Sequence, residues 1–209
     1  MFKVYGMSSS GNCHKVRLAL EMLRIPYEWH EIDIMKRESR TQSFLAMNPN
    51  GRVPTLEVSP GKYLPESNAI LFYVAEGSRL LPSDRLAKAQ VLQWMFFEQY
   101  SHEPYVAVAR FILKYLPGDS PRRSELPRLY ERGYQALDVM ERQLAQHAFL
   151  VGDALTIADI ALFAYTNPAA DAGFDMSRYP GVRAWLERVK SQPGYVEMAQ
   201  PGPVSATAA

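Results

Sequence analysis

Short alternating runs fill the first 75 residues, and long helical periods fill the rest. Lys3, Val4 and Tyr5 form a brief strand pattern, followed by a loop of small polar residues, GMSSSGN. A helix is predicted over 13–24, where Val16, Leu18, Ala19, Leu20, Met22 and Leu23 fall mostly on one face and Pro26 ends the run. Residues 27–34 (YEWHEIDI) alternate as a second strand, and 36–40 read as a charged, mobile connection. A short helix at 43–47 precedes the turn Asn48-Pro49-Asn50-Gly51. VPTLEV then alternates as a strand, Ser59-Pro60-Gly61-Lys62 suits a hairpin turn, and Pro65-Glu66-Ser67 opens a helix carrying Ala69, Ile70, Leu71, Tyr73 and Val74. The order β-α-β-α-β-β-α predicts a mixed four-stranded sheet in a small α/β domain.

Beyond this the strand patterns vanish. The run EGSRLLPSD holds a linker, placed at 78–84, and Asp84 is suited to cap the next helix. Residues 85–116 read as one very long helix or two in series, with a kink near Pro104, which removes the hydrogen bond back to Tyr100. Further helices are predicted over 125–146, from the capping-box variant Thr156-Ile157-Ala158-Asp159, and over 182–190 after Tyr179-Pro180. Pro193-Gly194 breaks the pattern before a last turn at 195–198. The expected division is an α/β domain at 1–77, an all-α domain at 85–199 and a disordered tail at 200–209.

Composition narrows the function classes. Lys and Arg (23) nearly balance Asp and Glu (22), so no basic stripe points to nucleic acid or an anionic membrane. No apolar run has the length of a membrane span, and the strand pattern begins at the first residues, which leaves no room for a signal peptide. The one cysteine excludes an internal disulfide and fits a reducing compartment, so a cytoplasmic location is expected. His14, His30, His102 and His147 show no ligand-type pairing with one another or with the cysteine, and no metal site is expected.

The most informative stretch is 48–67. Pro54 at a strand start cannot donate a ladder hydrogen bond. A cis Val53-Pro54 bond would turn Val53 outward, with its N–H and C=O spaced to pair with an extended peptide. The helix starting at Glu66-Ser67 offers unpaired N–H groups and a positive dipole end, which suits a carboxylate. Together these features suit a short acidic peptide ligand. The same residues also suit an ordinary hairpin followed by a capped helix.

Four segments in this order and spacing, SSSGNCHKVRLAL, NPNGRVPTL, ESNAILFYVAE and LTIADIALFAY, resemble the cytosolic glutathione transferase family. The resemblance covers nearly the whole chain up to about Met198 and leans to the bacterial, theta, phi, zeta and nu-like branches. It implies a thioredoxin-like N-terminal domain, an all-helical C-terminal domain, a homodimer, and glutathione as co-substrate. The chemistry needs a thiolate, here the ligand's own. A free thiol has a pKa near ~8.5, and lowering it by ~2 units takes ~3 kcal/mol of anion stabilisation. A hydroxyl at the positive end of a helix is that kind of supply.

By this resemblance Ser10 matches the catalytic serine and Asn12 the amide used near sulfur in nu-like members, with Ser9 in reserve. Glu66 and Ser67 match the pair that holds the γ-glutamyl end. Val53, held by Pro54, would pair with the cysteinyl unit, and Arg52 and Arg40 are candidates for the ligand's anionic end. Cys13 occupies the resolving position of a thioredoxin-like motif whose first cysteine is Ser10, and a structural role is the favoured reading. A small hydrophobic electrophile is expected between the domains, with Tyr100, Tyr105 and Arg110 as its candidate contacts. The implied activity is conjugation, as in detoxification. The alternatives are a glutathione-dependent disulfide or peroxide reductase, for which the sequence offers no cysteine at the Ser10 position, and a non-catalytic glutathione-binding or stress protein.

Overall fold

A computed structural model of the chain describes residues 1–201. The tail expected to be disordered lies, from residue 202 onward, outside the described residues. The chain divides into two compact units, Met1–Leu81 with Gln192–Gln200, and Pro82–Ser191. The segment after the last helix thus clusters with the first unit, whereas the helical pattern assigns residues up to 199 to the helical domain.

The first unit contains β1 (Phe2–Gly6), α1 (Gly11–Leu23), β2 (Tyr27–Glu31), α2 (Gln42–Met47), β3 (Thr55–Ser59), β4 (Lys62–Pro65) and α3 (Ser67–Ala75). The sheet order is β2-β1-β3-β4. β1 runs parallel to β2, while β1–β3 and β3–β4 are antiparallel. This is the mixed four-stranded sheet that the alternation predicts, in the thioredoxin-like arrangement that the family resemblance implies. Val4 and Leu56 face each other across β1 and β3 and are fully buried, as are Val16, Leu20, Ile70 and Leu71 on α1 and α3.

Three local readings change. β2 ends at Glu31 rather than 34, because Asp33 accepts the N–H groups of Met35 and Lys36 and folds the chain into a turn. The connection read as mobile is instead hydrogen-bonded: Glu38 accepts the Asp33 N–H at 2.7 Å and starts a 3₁₀ turn, Glu38–Arg40. α1 starts two residues earlier than expected and closes at Arg24, whose φ of 55° is left-handed.

The second unit is all-helical: α4 (Arg85–Phe97), α5 (Glu103–Tyr115), α6 (Leu126–Leu144), α7 (Ile157–Thr166) and α8 (Pro180–Lys190). The long helical run is divided ahead of Pro104. A π-helical turn, Glu98–His102, intervenes, and the Glu103 N–H reaches back to the Glu98 carbonyl. Widening the turn by one residue accommodates a proline that has no N–H to give. Residues 195–198 form no helical turn.

α7 is buried at every position, so it forms the centre of its unit. Its capping box is complete: Thr156 caps the helix and Asp159 returns a carboxylate to the Thr156 N–H at 2.8 Å. Asp159 also accepts from the Leu150 N–H and from Trp185 Nε1, both at 2.9 Å, with none of its surface exposed. One carboxylate therefore ties the loop before α7 to α7 and α8.

Candidate active site

The start of α1 carries the serines. Ser10 is the N-cap residue, with extended backbone angles (φ −82°, ψ 129°), yet its hydroxyl makes no capping bond. A purely capping role for Ser10 therefore finds no bond to support it. Ser8 is committed elsewhere: its N–H and hydroxyl reach Glu31 Oε1 at 2.9 and 3.2 Å, while Trp29 Nε1 donates to Glu31 Oε2 at 2.7 Å. Ser9 is 5% exposed.

Cys13 is fully buried behind this turn and accepts the Met7 N–H at 3.4 Å. Burial pushes its thiol up to about 12, against the opposing pull of hydrogen bonding from Ser10 and Met7. A thiol so held is not a nucleophile near neutral pH. Gly6 leaves room for it, since a Cβ there would lie 3.0 Å from Cys13 Sγ.

The start of α3 meets the start of α1. Ser67, the first residue of α3 and 5% exposed, donates its hydroxyl to Asn12 Oδ1 at 3.2 Å. Two helical N-termini thus come together, each with N–H groups that lack an intrahelical acceptor. Glu66 precedes Ser67 at φ 72°, a region that costs a side-chain-bearing residue ~1–3 kcal/mol. Glu66 is exposed there, directly ahead of the first N–H of α3.

The turn before β3 supplies the third part. The Val53-Pro54 peptide is cis, the condition under which Val53 turns outward. Ladder pairing starts only at Thr55, and the Val53 N–H and C=O have no hydrogen-bond partner among the described residues. The turn is fixed by Asn48, which the sequence marks only as a turn former. At 2% exposure, Asn48 donates to the Arg52 carbonyl (2.8 Å) and to Thr55 Oγ1 (3.3 Å), and accepts from the Asn50 N–H (3.1 Å). Only its place in a Pro-Asn-Gly turn hints at this.

Arg40 holds the same turn, donating from Nη1 to the Asn50 carbonyl at 3.0 Å. Gly51, at φ +62°, permits that approach, since a Cβ there would stand 2.5 Å from the guanidinium. Arg40 is therefore engaged in shaping the turn as well as being exposed, whereas the Arg52 guanidinium is exposed with no partner among the described residues.

The structure brings Ser10, Asn12 and Ser67 to adjoining helix starts. The candidates for electrophile contact are in the helical unit, in three different settings. Tyr100, on the π-helical turn, is 84% exposed. Tyr105 is half-buried on α5. Arg110 is 3% exposed, with its guanidinium 5.9 Å from the centre of the Tyr115 ring, the setting of an interior cation rather than of an open wall. Among the described residues no group of three or more His, Cys, Asp or Glu side chains is arranged to hold a metal, and no helix is long and apolar enough to cross a membrane.

Residues 4–79 match the family described as the glutathione S-transferase N-terminal domain, and 123–188 match its C-terminal domain. The chain belongs to the glutathione S-transferase family. It is 30% identical to glutathione S-transferase 3 of Zea mays, over 92% of this chain and 90% of the relative. It is equally 30% identical to the disulfide-bond oxidoreductase YfcG of Escherichia coli, over 87% of each chain. A crystal structure of a glutathione S-transferase from Pseudomonas fluorescens superimposes with a TM-score of 0.91 at 56% identity, covering 94% of this chain and 98% of that one. Membership fits the sheet order, the cis proline and the helical second unit described above.

Proposed function

We propose that this family member binds glutathione in its sheet unit and activates the thiol for attack on a small hydrophobic electrophile. The observation that carries the reading is the meeting of Asn12 and Ser67 at 3.2 Å, which joins two electropositive helix ends beside the unpaired backbone of Val53. The γ-glutamyl carboxylate is received by the Ser67 hydroxyl and the first N–H groups of α3, and its amine by Glu66. The cysteinyl unit pairs with the Val53 backbone next to Pro54. Arg52 meets the glycyl end, with Arg40 setting the turn.

The sulfur is aimed at Ser10, whose hydroxyl is uncommitted to capping, with Asn12 and Ser9 beside it. Hydroxyl donation and the α1 dipole favour the thiolate, and positioning does the rest. Tyr100 and Tyr105 are proposed contacts of the electrophile. A cytoplasmic homodimer is the proposed working form. It is supported by the exposure of Leu86 (67%) and Phe96 (69%) on α4, and light scattering that returns one chain mass would exclude it.

A second reading, a glutathione-dependent disulfide or peroxide reductase, is favoured by the likeness to a relative named a disulfide-bond oxidoreductase. The buried, protonated Cys13 cannot serve such a cycle, so a second glutathione would have to. Parallel assays with a chlorodinitrobenzene-type electrophile and a glutathione mixed disulfide separate the two. Turnover of the first alone supports conjugation, and turnover of the second alone overturns it. Glutathione uptake with neither turnover marks a non-catalytic glutathione-binding protein.

A further inference from the structure

After α8 the chain turns, with the Tyr195 N–H on the Gln192 carbonyl at 3.1 Å, and Gln192–Gln200 clusters with the sheet unit. Two contacts seat this segment on α1. His14, 3% exposed, places Nε2 2.8 Å from the Val196 carbonyl oxygen. A carbonyl only accepts, so Nε2 carries the proton. Gly194, at φ +83°, lies so close that a Cβ would stand 2.7 Å from the Glu21 carbonyl and 2.8 Å from Met22 Cα. The first contact is side chain to backbone and the second backbone to backbone, and both fall on the helix whose first turn carries Ser10 and Asn12.

The link to the site is direct. The His14 N–H donates to the Ser10 carbonyl at 2.9 Å, so His14 sits one helical turn from the N-cap. Asn12, between them, is the residue that meets Ser67. A helix held at its start by α3 and along its length by a separate chain segment has its axial and lateral position set from two sides. α1 is also held by its buried face and by Arg79, which donates to the Met22 carbonyl at 3.0 Å, so the segment acts on fine placement of the helix rather than on its attachment.

We propose that the segment 192–200 is a strap that sets the position of α1, and that His14 is a positioning residue for the thiol end of the glutathione site. The inference rests on the reading of Ser10, Asn12 and Ser67 as that site. It makes the chain's C-terminal segment part of a site otherwise built within the first 67 residues.

The test compares His14→Ala, His14→Gln, Gly194→Ala and Ser67→Ala in the full chain. Glutathione Kd is read by calorimetry, kcat and KM with an aromatic electrophile, and the thermal midpoint in parallel. A displacement of ~1 Å can cost ~100-fold in rate, so a partial release of α1 is expected to cost on the order of tenfold in glutathione Kd or kcat for His14→Ala and Gly194→Ala. His14→Gln keeps a donor for the Val196 carbonyl and should recover most of the loss. Normal binding and turnover in His14→Ala, with Ser67→Ala impaired, would overturn the strap and leave the site reading intact. Equal damage in His14→Ala and His14→Gln that tracks only the thermal midpoint would also overturn it, by reducing His14 to a folding role. Normal binding in Ser67→Ala would remove the site reading, and the strap's function with it.

Discussion

Ser67→Ala isolates one hydroxyl at the proposed carboxylate subsite. In the unliganded chain that hydroxyl spends its only proton on Asn12 Oδ1 at 3.2 Å. A bound carboxylate must therefore replace Asn12 as acceptor. A hydrogen bond to a charged group contributes ~1.5–3 kcal/mol and the neutral one it replaces ~0.5–1.5, which leaves ~1–2 kcal/mol in favour of binding. At ~1.4 kcal/mol per decade, Kd for glutathione should rise about five- to thirty-fold in the alanine variant. Binding should not vanish, because the N–H groups of the first turn of α3 remain. The carboxylate takes no part in the bond changes at sulfur, so the loss falls on ground and transition states alike: KM rises and kcat changes little. Calorimetry and steady-state kinetics at saturating electrophile measure both. A Kd within about twofold of the parent, or a large fall in kcat at unchanged Kd, would refute the assignment.

Three other outcomes are expected. Ser10→Ala should raise the pKa of the bound thiol by ~1 unit, cutting turnover about threefold near pH ~7 and approaching tenfold about a unit or more below the parent pKa, with a rise in Kd of no more than about threefold. The acidic limb of the pH–rate profile should then move to higher pH, and an unmoved limb would shift the role to Asn12 or Ser9. Asp159→Ala leaves the Leu150 N–H, the Thr156 N–H and the Trp185 indole N–H without their buried acceptor, at ~1–3 kcal/mol each before relaxation, so urea unfolding should show a loss of ~3–5 kcal/mol. A loss below ~1 kcal/mol would contradict the hub role given to this carboxylate. Cys13, raised to about 12 by burial, stays a thiol below that pH, so the folded protein should resist alkylation near pH ~8 and react only on unfolding. Rapid labelling of the native chain would restore Cys13 as a candidate nucleophile.

The amino-acid order by itself determined the sheet unit, the switch to helices near residue 84, the proline turn at 48–54 and the capping box at Thr156–Asp159. Each of these is local: alternation, helical period, proline and a four-residue cap act within a few residues of one another. Tertiary structure decided what depends on distant partners. The pairing of Asn12 with Ser67 spans 55 positions, and the seating of Val196 on His14 spans 182. The bonds at Glu38, at Asn48 and in the π-helical turn span at most seven residues, yet neither alternation nor helical period encodes them. Periodicity shows which face of a helix turns inward, but it does not show which donor an inward acceptor will meet. Hydrogen bonding between remote segments is settled only when the backbone has closed around them.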